Sequence, residues 1–274
     1  MIFIEPICLA IVGIYVFMRA RTMPWPRLAR ELAFLSAAGF VGEDSMIRGY
    51  GFYSYSANWH LFLDRVPLLI IVIWPVVIHS AWLMAKRLAP VELVPFLVAL
   101  FILADASLIE PIAVQAGLWR WTEPGLFHVP PIGILGWVYF AFFCTLVLER
   151  GGGALVILLA PLGTHLLLIA TWMGALRHFN FTVPTVPAVI AIWMVGSAIA
   201  IFNWRRALRR RLPFADLMVR VPAALFFFVL VGAYGRENPA LILYALAFAP
   251  PYLTLISKSG ARAPSSASHR ADAA

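Results

Sequence analysis

Charge is scarce in this chain. Lys, Arg, Asp and Glu make up 12% of its 274 residues, against about 25% in a soluble domain. Hydrophobic residues make up 62%, and the mean hydropathy is +0.88. These values exclude an ordinary soluble protein and point to an all-α, polytopic bundle of transmembrane helices. Cysteine is nearly absent as well. Cys8 and Cys144 both fall inside apolar runs, so neither a disulfide framework nor a zinc site is indicated. Asp-rich magnesium motifs with repeated Asp spacing are missing, which speaks against prenyl transfer. No internal repeat appears, and that removes support for a transporter built from inverted halves. There is no soluble domain and no long linker. No basic segment precedes the first run, residues 2–18, while Arg19 and Arg21 follow it. It therefore reads as a retained first span rather than a secretory signal.

The net charge of +8 is not a nucleic-acid signal. Its basic residues sit in short clusters between apolar runs, where they anchor topology and meet anionic lipid. A spanning helix needs about 20 mostly apolar residues. Candidates are residues 2–18, 31–47, 66–85, 91–111, 130–149, 153–175, 184–204, 217–234 and 238–257, giving eight to nine spans. The second is the shortest on charge-free length, because it contains Glu43 and Asp44. The connections after the odd-numbered spans and the C-terminal tail carry most of the Lys and Arg, Arg205, Arg206 and Arg209–Arg211 above all. The positive-inside rule then places the N-terminus outside and the C-terminus in the cytoplasm. Residues 1–258 form one transmembrane domain, and residues 259–274 read as a disordered cytoplasmic tail. A bacterial cytoplasmic membrane is the expected location.

Carboxylates are rare enough in such a chain to be informative. A charge at the bilayer centre costs about 2.5–3.5 kcal/mol on insertion scales, so it persists when it pairs, lines a polar cavity or does chemistry. Glu43, Asp44, Asp105 and Glu110 all lie in or at the ends of apolar stretches. With the topology above they share the outer leaflet, joined by Glu5 at the start of the first span. Asp105 looks deepest. Asp105 and Glu110 are separated by about 140° around an ideal helix, and Pro111 is placed to end or kink that helix. Each acid also has a structural reading. Asp44 and Arg48 stand at the i, i+4 spacing of an ion pair, and Glu110 could cap its span. His79 and His165, within spans, fit hydrogen bonds to neighbouring helices; His60 and His128 lie on outer loops.

Those outer loops are aromatic. One reads Arg48-Gly-Tyr50-Gly-Phe52-Tyr53-Ser-Tyr55 and then Asn58-Trp59-His60; the other reads Gly117-Leu-Trp119-Arg120-Trp121 and then Phe127-His128-Val-Pro130. An interfacial belt accounts for single rings. Their concentration on the two loops flanking the acidic helices also suits an aromatic-lined mouth.

Two blocks carry a resemblance. One runs from Glu43 through the Gly/Tyr-rich stretch 49–55 and Val66-Pro67 to Trp74-Pro75. The other comprises Asp105, Glu110-Pro111, Gly117-Leu118-Trp119-Arg120-Trp121, Val129-Pro130 and Gly136-Trp137. Together, over about residues 42–137, they resemble the membrane-integral carotenoid biosynthesis family, which includes hydratases of acyclic carotenoid ends of the bacterioruberin and gamma-carotene type. The resemblance leads one to expect an asparagine shortly before the Gly-Trp pair, where Gly133 stands. It implies cofactor-free, metal-free hydration of a terminal isoprenoid double bond in a lipid-soluble carotenoid or polyprenoid. Such chemistry needs a carboxylic acid held protonated until use, and burial and a neighbouring carboxylate both favour that state in general. Asp105 is then expected as the proton donor, with Glu110 and Glu43 as its ionised partners and Asp44 as a further catalytic candidate. Tyr53, Tyr55, Trp119, Trp121 and Trp137 are expected to bind substrate and stabilise a carbocation through their ring faces. Two other function classes fit the same residues. One is a transporter or binding protein whose acidic cluster handles a cation or protons; the other is a non-catalytic assembly protein of a pigment complex.

Overall fold

The structure is a computed structural model that describes residues 3–178, 183–205, 217 and 219–257. The basic cluster from Arg206 to Arg211 and the tail lie outside the described residues. The first helices are α1 (Ile4–Ala20), α2 (Trp25–Tyr50), α3 (Leu68–Leu88), α4 (Val94–Gln115) and α5 (Pro131–Glu149). They are followed by α6 (Val156–Gly174), α7 (Thr185–Arg205), α8 (Arg220–Tyr234), α9 (Pro239–Leu246) and α10 (Ala249–Ser257). Short strands β1 (Tyr53–Tyr55), β2 (Phe62–Leu63) and β3 (Val66–Pro67) join α2 to α3, and β4 (Trp119–Trp121) lies between α4 and α5. The fold is all-α. Among the described residues, five helical segments are long and apolar enough to cross a membrane, at 68–88, 91–115, 131–149, 153–178 and 185–202.

The second apolar stretch is longer than its charge-poor core suggested. α2 has 26 residues, with Pro26 in its first turn and Gly51 closing its C-terminus in the left-handed region at φ 63°. Its added N-terminal turn is polar and is satisfied locally. Arg27 Nε donates to Glu31 Oε1 at 2.9 Å, one turn on. Glu31 Oε2 lies 3.0 Å from His79 Nε2, and His79 Nδ1 lies 2.6 Å from the Tyr15 hydroxyl. His79 is thus the polar tie among α1, α2 and α3 that a lone membrane histidine suggests. His165 does the same for α6 and α2, within 2.8 Å of both Ser45 Oγ and the Tyr50 hydroxyl.

α3 runs through the middle of the bundle. It is 78% buried over its most apolar stretch, against 6% for α7, so α7 presents its side chains to the surroundings. Around α3 pack α2 and α4, with α5 closing on α4 and α6 closing on both α5 and α2. The last apolar stretch is broken into α9 and α10 just ahead of Pro250 and Pro251. Pro111 does not end its helix, since α4 continues to Gln115. Cys8 and Cys144 are buried free thiols.

One end of the bundle is covered by a small ribbon. β1 pairs antiparallel with β4 in the register Tyr53↔Trp121, Ser54↔Arg120 and Tyr55↔Trp119. Side chains alternate across a strand. The sequences Tyr-Ser-Tyr and Trp-Arg-Trp therefore turn four aromatic rings to one face and Ser54 with Arg120 to the other, where Arg120 Nε donates to Ser54 Oγ at 3.1 Å.

Candidate active site

The aromatic face of the ribbon looks onto two carboxylates. Glu43 comes from α2. The Tyr53 and Tyr55 hydroxyls both donate to its Oε2, the latter at 2.8 Å. Glu110 comes from α4 and is 1% exposed. Its Oε2 accepts from the indoles of Trp119 at 2.8 Å and Trp121 at 3.1 Å, and its Oε1 accepts from Trp137 of α5 at 3.1 Å. Two strands of period two thus deliver two donors to each acid. The rings also pack on one another. Tyr53 lies 4.7 Å from Trp121 between centroids, Tyr55 meets Trp119 edge-on at 5.9 Å, and Trp74 of α3 stacks on Trp137 at 3.6 Å.

Between these groups is a cavity with about 670 Å³ of empty space, its open mouth included. Glu43, Glu110, Tyr53, Tyr55, Trp119, Trp121 and Trp137 all line it. Apolar walls with a few convergent polar groups suit a greasy substrate held at a polar end.

The two acids differ in what they are offered. An indole N–H only donates, so Glu110 meets all three of its partners as an acceptor. A phenol can donate or accept. Burial first, and then the adjacent Glu43 carboxylate, push the Tyr53 and Tyr55 hydroxyls well above the usual phenol range, so both keep their protons and donate. Both bond the same Glu43 oxygen. Oε1 is left without a partner among the described residues, on a side chain that lines the cavity. Glu43 can therefore carry a proton on Oε1 without losing a bond, whereas Glu110 is arranged to accept.

Asp105, expected as the proton donor beside Glu110 and Glu43, stands elsewhere. Arg220 Nη1 of α8 lies 2.7 and 2.5 Å from its two oxygens, and the Tyr252 hydroxyl of α10 donates to it at 3.1 Å. The reason is helical geometry. α4 stays regular through Pro111, so residues five apart project to different neighbours: Glu110 to the ribbon and α5, Asp105 to α8 and α10. Asp44 also stays outside the cavity and bonds Arg48 Nε at 2.7 Å; Arg48 forms a second ion pair with Asp64. Glu5 accepts from the backbone N–H of His60 at 2.9 Å and lies 2.6 Å from its Nδ1, which fastens α1 to the connection between α2 and α3.

Sequence reasoning did not single out Trp74, Phe140, Gly39 or Gly42 as parts of the site. Nor did it identify Arg220, the partner of Asp105. Nor did it read the two aromatic loops as paired strands, although the alternation in Tyr-Ser-Tyr and Trp-Arg-Trp carries that signal.

Gly133 has a steric explanation. A Cβ built there would stand 2.6 Å from Trp121 Cζ2 and 2.7 Å from its Cη2. The indole occupies the space that an asparagine side chain would need. Trp121 is held by Glu110, by Tyr53 and by the strand register, so it has little room to yield. Gly133→Asn is expected to dislodge the indole and remove one donor from Glu110. Hydrogen bonds to charged groups contribute about 1.5–3 kcal/mol, so the variant should lose stability of that order and melt at a lower temperature. Thermal unfolding of the purified variant beside the wild type measures this, and an unchanged melting temperature would mean that the ring moves aside freely.

Among the described residues, no group of three or more His, Cys, Asp or Glu side chains is arranged to hold a metal ion. No curated protein and no solved structure matches the chain. A family model described as carotenoid biosynthesis protein matches residues 5–196, a stretch that contains α1 from its second residue, α2 through α6, the ribbon and every residue lining the cavity. This chain belongs to the carotenoid biosynthesis protein family.

Proposed function

We propose that this protein hydrates a terminal isoprenoid double bond of an acyclic carotenoid by acid catalysis, as a cofactor-independent hydro-lyase. The observation that carries the reading is the unequal pair of acids on one aromatic cavity. Glu43 has a free Oε1 for a transferable proton, and Glu110 is surrounded by obligate donors.

In the first step Glu43 Oε1–H protonates the less substituted carbon of the terminal alkene. The π bond breaks, a C–H bond forms, and a tertiary carbocation remains. The Glu110 carboxylate supplies a fixed negative charge, and the faces of Tyr53, Trp119 and Trp121 add quadrupole stabilisation. Water then bonds to the cation and gives a proton back to Glu43, so the cycle closes with no net proton consumed. A second double bond in place of water would give cyclisation, which shares every step up to the cation.

The topology we propose has eight to nine spans in a bacterial cytoplasmic membrane, with the N-terminus and the ribbon outside and the C-terminus in the cytoplasm. The ribbon then stands at the aqueous face and the cavity lies beneath it in the apolar layer. Water and a bilayer-dissolved substrate can reach the same point from opposite sides.

The test is to supply heavy-oxygen water to membranes containing the protein and lycopene. Incorporation of the label into a hydroxylated carotenoid is expected. An oxygen-free cyclised or isomerised hydrocarbon as the product would refute hydration.

A further inference from the structure

The cavity does not stop at the carboxylates. On α2 it is lined by Met46, Glu43, Gly42 and Gly39, on α5 by residues from Ile132 to Phe140, and on α6 by Leu168 and Thr164. Each set repeats at three- and four-residue steps, so each follows one face of its helix away from the ribbon. From Met46 to Gly39 is about 10 Å along α2, and from Ile132 to Phe140 about 12 Å along α5, at 1.5 Å per residue. The void is thus an elongated channel parallel to the helices. The ribbon and both acids are at its outer end, and only apolar walls and the Thr164 hydroxyl are at its inner end. That hydroxyl is already committed to the Ala160 carbonyl at 2.7 Å, so it offers no proton to a ligand.

Gly39 marks the inner end on α2. It is buried, yet a Cβ added there would meet no atom within 4 Å. Its missing side chain leaves open space rather than a tight helix contact. Gly42 differs, since a Cβ there would touch Phe140 at 3.5 Å.

We propose that this inner channel seats the straight isoprenoid chain next to the reacting end, and that Gly39 is a specificity-determining residue which leaves its inner end open. The proposal rests on the site assigned above and adds an orientation. The terminal double bond lies against the ribbon and the acids, and the chain runs inward past Gly42, Phe140 and Thr164 to Gly39.

The test reads binding without relying on turnover. Purified full-length protein in lipid nanodiscs is titrated with lycopene, an achiral polyene that acquires circular dichroism only in a chiral site. Wild type should induce the signal. Gly39→Phe fills the inner end from α2, and Thr164→Leu narrows it from α6. Each should weaken lycopene binding by about tenfold or more at an unchanged melting temperature. Should Gly39→Phe fail to fold, Thr164→Leu decides the matter. No signal from wild type, or full-strength binding by a folded blocking variant, overturns the proposal. A wild-type signal without any hydroxylated product removes the hydration reading and leaves the channel standing. Wild-type product yield and binding from Gly39→Phe remove the channel and leave hydration standing.

Discussion

Glu43→Gln should yield a folded protein that makes no hydroxylated carotenoid. The amide oxygen can take the place of Oε2 and accept from Tyr53 and Tyr55, while the amide nitrogen turns to the cavity, where Oε1 has no partner to lose. Packing and hydrogen bonds survive, but the transferable proton does not. General acid catalysis contributes about 10²–10⁴-fold, so product in lycopene-making cells should fall by that factor. Glu110→Gln behaves differently. Wherever its amide nitrogen goes, it faces an indole N–H, because both carboxylate oxygens accept from tryptophan. A buried donor without an acceptor costs about 1–3 kcal/mol, so this variant should lose thermal stability as well as activity. Equal melting temperatures for the two variants would show that the indole contacts do not distinguish the acids. Full product from Glu43→Gln would exclude it as the acid.

The largest effect on stability is expected at Asp105. Both it and Arg220 are 6% exposed, and each is the other's charge partner in the apolar interior. Removing one member of a buried pair strands the other charge and typically costs about 3–5 kcal/mol. Asp105→Asn should therefore lower the melting temperature sharply and reduce the amount of protein recovered from membranes. Exchanging both members, Asp105→Leu with Arg220→Met, should restore most of the stability, because an apolar pair of similar volume avoids the desolvation cost. The double variant should also keep producing pigment, since neither residue lines the cavity that holds Glu43 and Glu110. A stable Asp105→Asn protein that has lost all product would instead return Asp105 to the chemistry.

These two cases mark where the sequence was readable. Apolar runs of spanning length located the helices, because in lipid a backbone must satisfy itself segment by segment. Glu43 and Glu110 stood out because charge is costly there, and the Tyr and Trp side chains beside them in sequence prove to be their hydrogen-bond donors in space. Asp105 stood out for the same reason, but its partner is 115 residues further along, on a helix whose start carries an ordinary-looking arginine. Sequence spacing does report that Asp105 and Glu110 point apart. It does not report which of them has a distant counter-ion, since that follows from how α8 and α10 pack on α4. The extended length of α2 was hidden likewise. Arg27 and Glu31 look like the end of a span until His79, from another helix, is seen to complete their network.

The pairing of β1 with β4 has a consequence for biogenesis. The two strands are separated by two complete helices, α3 and α4, so neither can find its mate while the ribosome is still delivering the segment between them. Glu110 and its indole donors are made after Glu43 and its phenols have already left the exit tunnel. A nascent chain halted before Trp119 holds both acids but only the β1 half of the ribbon, so Glu110 is still without its indole donors. The vessel around the two carboxylates is therefore closed only when the insertion machinery has released both of its halves.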